Sequence, residues 1–244
     1  MKISETIRPF IHLLFPPVCR ACGKLLSGDP SAILCARCAS QDVSLKLPVC
    51  DLCGLPVPAP ADPCSFPSSS HGCIPFKPAF DCIRSAVAYE NPVRELIHQF
   101  KFQGSRRVRP YLQSLFADGA DRLLGNFHLD AIVPVPLHWT RHFSREFNQA
   151  DVLAQSLSRH SGIPVLADAV RRCKRTYPQS RLGGKWRGRG LEAAFCPGTD
   201  AVSGLDLLLV DDVMTTGQTI SACAAALRQA GAHHIVGYTL ARRI

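Results

Sequence analysis

The sequence has no apolar run approaching the roughly 18 residues that a membrane-spanning helix requires. Its first ten residues also lack the layout of a secretory signal peptide, because Glu5, Arg8 and Pro9 interrupt any apolar region there. These two absences argue against secretion and against a membrane span, and they predict a cytoplasmic protein. Apolar residues make up 46% of the chain, which is too high a fraction for an intrinsically disordered protein. The length of 244 residues allows one or two folded domains.

Most of the cysteines lie near the amino terminus, where nine of the twelve precede residue 83. Six of them form three Cys-x-x-Cys pairs, which are Cys19/Cys22, Cys35/Cys38 and Cys50/Cys53. Two such pairs supply the four thiolates of a tetrahedral zinc site, and the interval of twelve residues between the first two pairs suits this arrangement. Because no signal segment directs the chain to an oxidising compartment, structural zinc is a better interpretation than disulfides.

A second zinc site has a less regular ligand spacing. Cys50 and Cys53 have Cys64 and Cys73 as their best partners, with His71 and Cys82 as substitutes. Another pairing also stays open, in which the first and third pairs, each followed by glycine, share one metal. We therefore expect one or two structural zinc ions.

Proline and serine dominate residues 55–78, which is typical of a linker and places a domain boundary near residue 80. We predict a Cys-rich domain over residues 1–80, stabilised by zinc because its apolar content is low. Residues 81–244 form a second predicted domain, in which apolar strand patterns alternate with amphipathic helix patterns. The predicted strands cover residues 83–89, 130–136, 163–170, 207–210 and 234–240. The predicted helices begin at residue 91, cover 110–124 and 149–160, and follow residue 219. This order predicts an α/β fold with a mostly parallel, doubly wound sheet.

The most informative stretch is residues 207–219, in which four apolar residues lead directly to Asp211 and Asp212. A short loop follows, formed by Thr215, Thr216, Gly217, Gln218 and Thr219. A continuous apolar run fits a strand that is buried on both faces of a parallel sheet, where ligands bind beyond the carboxyl end. The loop offers backbone N–H groups, hydroxyls and the positive end of the next helix to an anion. Two carboxylates beside it suit the hydroxyls of a ribose, so the stretch predicts a sugar-phosphate pocket.

This stretch resembles the phosphoribosyl pyrophosphate (PRPP) signature of the type I phosphoribosyltransferases, with only Met214 and Gln218 at its variable positions. The resemblance implies that Asp211 and Asp212 are catalytic residues that hold the ribose hydroxyls. It also implies that residues 215–219 hold the 5′-phosphate. Mg²⁺ is expected to arrive with the pyrophosphate oxygens, since it favours phosphate ligands and retains waters. A chance strand–turn–helix with an acidic turn is the alternative.

A basic segment covers residues 171–190 and holds eight basic residues without any acidic one, in a chain whose formal net charge is +9. Such a charge favours an anionic partner, either a phosphorylated metabolite or a nucleic acid. The segment fits a lid that closes on pyrophosphate. It also fits a track for single-stranded DNA, with Tyr177 and Trp186 stacking on bases, or a solvated loop.

Further segments resemble, in order along nearly the whole chain, the ComF family of phosphoribosyltransferase-like proteins, which includes ComFC-like and GntX-like members. The matching positions are residues 14–17, the Cys pairs, Tyr89, residues 96–101, 133–137 and 145–149, Arg175, Thr176, Gln179, Leu182, Arg189, Ala194 and Phe195. The sequence departs from the family at Glu146, where glycine is usual, and at Gly190, where asparagine is usual. From the matching segments and the basic loop after residue 136, we expect further PRPP contacts at Pro136, Leu137, Arg141, Arg145, Arg175, Gln179 and Arg189.

The resemblance implies two functions. The first is Mg²⁺-dependent transfer of a phosphoribosyl group from PRPP, for which no acceptor-activating base stands out. The second is a non-catalytic competence factor in DNA uptake and natural transformation, which binds single-stranded DNA and uses PRPP as a signal. Proteins of the DNA-uptake machinery are then the expected partners. A transcriptional regulator ranks third, because no helix-turn-helix pattern is present.

Overall fold

The computed structural model describes residues 16–27, 29, 31–57, 74–102, 105–137, 147–173 and 194–244. The helices within these ranges are α1 (Ala36–Ala39), α2 (Val93–Phe102), α3 (Arg109–Leu123), α4 (Gln149–Ser161) and α5 (Gln218–Gln229). The strands are β1 (Cys82–Ala88), β2 (Ala131–Pro134), β3 (Val170–Arg172), β4 (Phe195–Pro197), β5 (Asp206–Met214) and β6 (His234–Arg242).

The main sheet has the strand order β1-β6-β5-β2, and all three strand pairs in it are parallel. Strands β3 and β4 form a separate antiparallel pair. The predicted α/β class with a parallel sheet is confirmed. Because parallel strands require a crossover between them, helices lie on both faces of the sheet and cover its apolar side chains.

Strand β5 lies between β6 and β2, and its apolar residues alternate between two cores. Leu208 and Val210 pack in a cluster with residues of α2, α3 and α4. Leu207 and Leu209 pack in the opposite cluster with residues of α5. The predicted strand with two buried faces is therefore confirmed. It is longer than predicted, because the ladder continues through both acids to Met214, with Asp211 opposite Thr239.

The strand predicted over residues 163–170 is wrong. Val165 makes one parallel bridge to Ile132, and β3 begins only at Val170. Pro164 supplies a carbonyl to the Ile132 N–H but has no N–H of its own to give. The chain then turns at residues 167–168, so the apolar pattern produces a single bridge at the edge of β2 instead of a ladder.

The described part of residues 1–80 packs directly on the sheet. The Ile83 N–H donates to the Leu52 carbonyl, and the Ala88 N–H donates to the Val43 carbonyl. The Arg242 guanidinium, buried at the end of β6, donates to the Cys53 carbonyl. Buried Cys19 and Cys38 belong to the same apolar cluster as α2 and α3. The division at residue 80 stays a prediction, while the two sides share one core within the described residues.

The close approach of α3 to the sheet leads to a first prediction, at Gly119. A Cβ added there would lie 2.5 Å from the Ala86 Cβ and 2.6 Å from the Tyr238 hydroxyl, which donates to the Phe116 carbonyl. Contacts this short correspond to the upper part of the roughly 1–3 kcal/mol that overpacking a core costs, and the helix propensity of alanine offsets about 1 kcal/mol of it. We expect Gly119→Ala to lower the free energy of unfolding in urea by about 1–2 kcal/mol.

Gly125→Ala is the matched control, because its nearest non-neighbouring atom would be the Asp121 carbonyl oxygen at 3.7 Å. That variant should unfold within about 0.5 kcal/mol of the unchanged protein. Equal stability of the two variants would contradict the packing of α3 against β1 and β6 described here.

Candidate functional site

The carboxyl end of β5 carries the two predicted catalytic acids. Asp211 and Asp212 are both half-buried, and the Asp212 N–H donates to the Asp211 Oδ1 at 2.8 Å. The Asp212 Oδ1 also accepts a hydrogen bond from the Lys101 Nζ at 2.8 Å. The side chains of Lys101 and Asp212 are only 18% and 13% exposed, so this ion pair is partly shielded from water. One acid is therefore held by a cation from the end of α2.

The loop after β5 has the form expected for an anion site. Gly217 stands at the N-cap of α5 with a φ of 78°, and a Cβ there would lie 2.9 Å from the Met214 Cε. Thr215, Thr216 and Thr219 are exposed around it. The Gln218 N–H makes only a long hydrogen bond, to the Thr216 Oγ1 at 3.4 Å, so the first turn of the helix offers its N–H groups and the positive end of its dipole toward this loop. The arrangement suits a phosphate.

Strand β2 brings Pro136 and Leu137 to the same edge of the sheet. The Val135 N–H donates to the Val210 carbonyl at 2.9 Å, immediately before the two acids of β5. Asn148 joins this edge to the next helix, because its Nδ2 donates to the Val135 carbonyl while its Oδ1 caps α4 at the Ala150 N–H. The backbone after β2 is thus fixed beside the acids.

The sequence did not predict Lys101 and Asn148 as site residues, although both contribute to this edge of the sheet. Both stand in segments that match the ComF family, which was the available signal. Their partners lie 111 and 13 residues away along the chain, so no local spacing indicates the contacts. Gln149 adds a long hydrogen bond from its Nε2 to the Lys101 carbonyl at 3.5 Å.

Five predicted contacts, Arg141, Arg145, Arg175, Gln179 and Arg189, lie outside the described residues, and they stay predictions. The first three residues of the basic segment, 171–173, are described, and the description resumes at Ala194. Cys173 forms a disulfide with Cys196, and its N–H donates to the Ala194 carbonyl at 2.9 Å. Phe195 and Val170 of this pair of strands pack in the α5 cluster. The basic segment therefore starts within β3, and the β3–β4 pair packs against the helix of the anion loop.

The third cysteine outside the amino-terminal region, Cys223, lies on the buried face of α5 with no exposed surface. Burial, and to a smaller extent the Asp211 carboxylate, raise the pKa of the Cys223 thiol well above its ordinary value. The thiol is therefore protonated and packed in the core. This confirms the expectation that Cys223 is a core residue and not a nucleophile.

Four thiols meet in the amino-terminal region. The Sγ atoms of Cys19, Cys22, Cys35 and Cys38 all lie within 4.8 Å of one another. The Cys22 and Cys35 sulfurs are 3.8 Å apart, which is about the edge of a tetrahedron with Zn–S bonds of about 2.3 Å. The predicted pairing of the first two Cys-x-x-Cys pairs is confirmed, and the cluster supports structural zinc. The alternative, in which the first and third pairs share a metal, is wrong.

Ionisation of these thiols is uneven. Burial raises the pKa of Cys19, but backbone N–H groups of Cys35, Cys22 and Ala21 outweigh it and lower that pKa to about 6. Burial and the three neighbouring thiols raise the pKa of Cys38 to about 12. A divalent metal ion bound among the four sulfurs would supply the positive charge that lets all four thiols ionise.

The third Cys-x-x-Cys pair repeats the backbone of the first. The Gly23 N–H donates to the Cys19 carbonyl at 2.9 Å, and the Gly54 N–H donates to the Cys50 carbonyl at 2.8 Å. Both glycines have positive φ, 71° and 68°. The predicted partners Cys64 and Cys73, and the substitute His71, lie outside the described residues. Within the described residues, Cys82 does not join Cys50 and Cys53 in a metal-binding group.

The comparisons with known sequences support the Cys-rich domain and give relatives that match over most of the chain. A model of the double zinc ribbon domain matches residues 10–70. DNA utilization protein YhgH of Salmonella typhimurium is 33% identical over 237 residues, which cover 95% of this chain and all of the relative. Competence protein F of Haemophilus influenzae is 36% identical over 217 residues, which cover 86% of this chain and 90% of that protein. Competence protein ComFC of Bacillus subtilis is 26% identical, and the match covers 95% of this chain and 96% of that protein.

Phosphoribosyltransferases are found among similar solved structures, but the likeness is weak. Adenine phosphoribosyltransferase from Saccharomyces cerevisiae covers 59% of this chain and 72% of its own length, with 14% identity and a TM-score of 0.39. The match to a glutamine PRPP amidotransferase from B. subtilis covers 53% of this chain and 25% of that enzyme, with 21% identity and a TM-score of 0.37. None of the helices in the described ranges has the length and apolar character that crossing a bilayer requires.

The thiol cluster leads to a second prediction. We expect Cys22→Ser/Cys35→Ser to lose about one zinc per chain by metal analysis, because two thiolates cannot complete the tetrahedral site. Thermal unfolding should also occur at a lower temperature, since metal binding contributes to folding. Cys223→Ala, which removes a thiol outside the cluster, should keep the zinc content of the unchanged protein. Equal zinc content in the double variant would contradict the assigned ligands.

Proposed function

We propose that this chain, which belongs to the ComF family together with competence protein F, ComFC and YhgH, binds PRPP at the carboxyl end of β5. The observation that carries the proposal is the placement of two carboxylates beside a helix N-terminus. Asp211 and Asp212 lie near the carboxyl end of β5, and exposed threonines with Gly217 at the start of α5 follow within a few residues. A ribose with a 5′-phosphate carries the hydroxyls and the anion that these two groups would bind.

In this proposal, Asp211 and Asp212 accept hydrogen bonds from the ribose hydroxyls. The loop over residues 215–219 donates N–H and O–H groups to the 5′-phosphate, and the α5 dipole favours its charge. Lys101 fixes the orientation of Asp212 and balances its charge before the ligand arrives. Mg²⁺ would supply positive charge to the pyrophosphate oxygens when it is bound with PRPP.

Phosphoribosyl transfer requires stabilisation of the departing pyrophosphate, on which negative charge develops. The backbone at Pro136 and Leu137 lies at the correct edge of the sheet for this anion. We propose that cationic contacts come from Arg141, Arg145, Arg175 and Arg189, with Gln179 as a neutral donor. Positive groups placed in advance act where charge increases in the transition state, which is how they would lower the barrier.

A second function is favoured by the names of the relatives, which are called competence and DNA utilization proteins. In this alternative, the chain does not catalyse transfer, and it binds single-stranded DNA through residues 171–190 and the Cys-rich region. PRPP would then act as a signal, and proteins of the DNA-uptake machinery at the cytoplasmic face would be partners. The net charge of +9 supports binding to a polyanion.

Calorimetric titration with PRPP, with and without Mg²⁺, tests the pocket. Asp211→Asn/Asp212→Asn should weaken PRPP binding by about tenfold or more, since each hydrogen bond to a charged group contributes roughly 1.5–3 kcal/mol. Lys101→Met should weaken it as well. Asp118→Asn, on the exposed face of α3, is the matched control and should bind like the unchanged protein.

Absence of PRPP binding by the folded, zinc-loaded protein would reject the proposed pocket. Catalysis is tested separately, by measuring pyrophosphate release from PRPP across a panel of nucleobases and amines. Binding without release for any acceptor would favour the non-catalytic alternative.

Binding of single-stranded DNA tests the second function. The logarithm of the binding constant should fall linearly with the logarithm of the salt concentration. Neutralising Arg181, Lys185, Arg187 and Arg189 should reduce this slope by up to about 3, since each phosphate contact contributes roughly 0.7 on a single strand. The matched control neutralises four exposed basic residues elsewhere, which are Arg94, Arg107, Arg109 and Arg159. An equal slope in both variants would exclude the basic segment as the DNA-binding track.

A further inference from the structure

A second group of polar residues lies at the amino end of the sheet, opposite the proposed PRPP pocket. Asp130 directly precedes β2, and Asp206 is the first residue of β5. The parallel pairing of these strands sets Ala131 opposite Leu207, so the two acids lie side by side. His128, in the loop that leads into β2, faces both carboxylates.

Each carboxylate uses one oxygen for a structural hydrogen bond. The Asp130 Oδ2 accepts from the Asp206 N–H at 2.8 Å. The Asp206 Oδ1 lies 2.7 Å from the Nδ1 of His233, the residue before β6. These bonds orient both acids, in the way that ligating carboxylates are held by hydrogen bonds in metal sites.

The other oxygens of these two carboxylates converge on His128. Its Nδ1 lies 3.7 Å from the Asp130 Oδ1 and 3.8 Å from the Asp206 Oδ2. Both distances exceed hydrogen-bond length, so the imidazole as placed does not hold either acid. All three donor atoms lie within 4.8 Å of one another. Ligands bound to one ion at about 2.0–2.2 Å lie roughly 3 Å apart, so the three atoms must approach one another by up to about 2 Å to complete a site.

Exposure of the three side chains suits this adjustment. The His128 side chain is 80% exposed and can move toward an ion, while those of Asp130 and Asp206 are 33% and 22% exposed and are each anchored through one oxygen only. The group lies at the surface, where an ion can enter directly from solvent. It also contains no cysteine, which separates its chemistry from that of the thiol cluster.

We propose that His128, Asp130 and Asp206 bind a divalent first-row transition metal ion, with waters completing its coordination. An imidazole nitrogen with two carboxylates favours Zn²⁺ or Co²⁺ over Mg²⁺ and Ca²⁺, which prefer oxygen ligands alone. His233 is a positioning residue for Asp206. The bound ion joins the loop before β2 to the amino end of β5, and His233 connects Asp206 to the start of β6. This site is independent of the proposed PRPP pocket, since Asp206 and Asp211 lie about 16 Å apart along β5.

Titration of the zinc-loaded, full-length protein with Co²⁺ tests the site. Co²⁺ bound to nitrogen and oxygen gives weak visible absorption, whereas Co²⁺ bound to thiolates adds strong near-ultraviolet charge-transfer bands. We expect about one extra Co²⁺ per chain without the thiolate bands. His128→Ala and Asp130→Asn should each weaken its binding by about tenfold or more, and His233→Ala by about tenfold.

His160→Ala is the matched control, because His160 pairs with Asp121 at 2.9 Å on the surface without a second carboxylate. It should bind Co²⁺ like the unchanged protein. Retained zinc content and an unchanged far-ultraviolet circular dichroism spectrum show that each variant is folded. The proposal is overturned if the unchanged protein takes up no extra Co²⁺, or if folded His128→Ala and Asp130→Asn both bind it with unaltered affinity.

Discussion

Burial of β5 on both faces and both edges is the constraint on which the rest of the structure depends. Leu207, Leu208, Leu209 and Val210 fill two cores, and neighbouring strands satisfy the backbone on either side. Polar side chains on this strand are therefore confined to its two ends. Asp211 and Asp212 lie at one end and Asp206 at the other, and both candidate ligand sites described here form where the buried strand meets solvent.

The Cys-rich region depends on this sheet as well as on metal. Cys19 and Cys38 of this region are buried in the cluster that α2 and α3 form, and its third Cys-x-x-Cys pair is held by Arg242 at the end of β6. Few of its other described residues are buried, so zinc coordination and attachment to the sheet would replace a core of its own. The third pair and the two acids lie near the carboxyl ends of adjacent strands, since Arg242 is opposite Met214 in the ladder.

Lys101 shows how the proposed pocket depends on packing between distant segments. The helix that carries it is held in the core by Leu96, Ile97 and Phe100, and its last turn then reaches Asp212. Asn148 and Gln149 bind the backbone of β2 and the end of α2 from the start of α4. Three segments far apart in the chain thus order one edge of the sheet, which is what a preorganised site for an anion requires.

Local pattern determined the helices, the buried strand β5 and the loop that follows it, because periodicity of apolar residues and turn chemistry act over a few neighbours. The sequence likewise placed the four cysteines of one metal cluster in two Cys-x-x-Cys pairs, a spacing typical of a zinc site. Only tertiary structure decided which Cys pairs meet, that residues 163–170 form a bridge and not a strand, and that Lys101 pairs with Asp212. It also decided that His128 and His233 approach the carboxylates of Asp130 and Asp206. These contacts join residues that are distant in the chain and that the strand order of the sheet brings together. The local sequence around each residue does not encode that strand order.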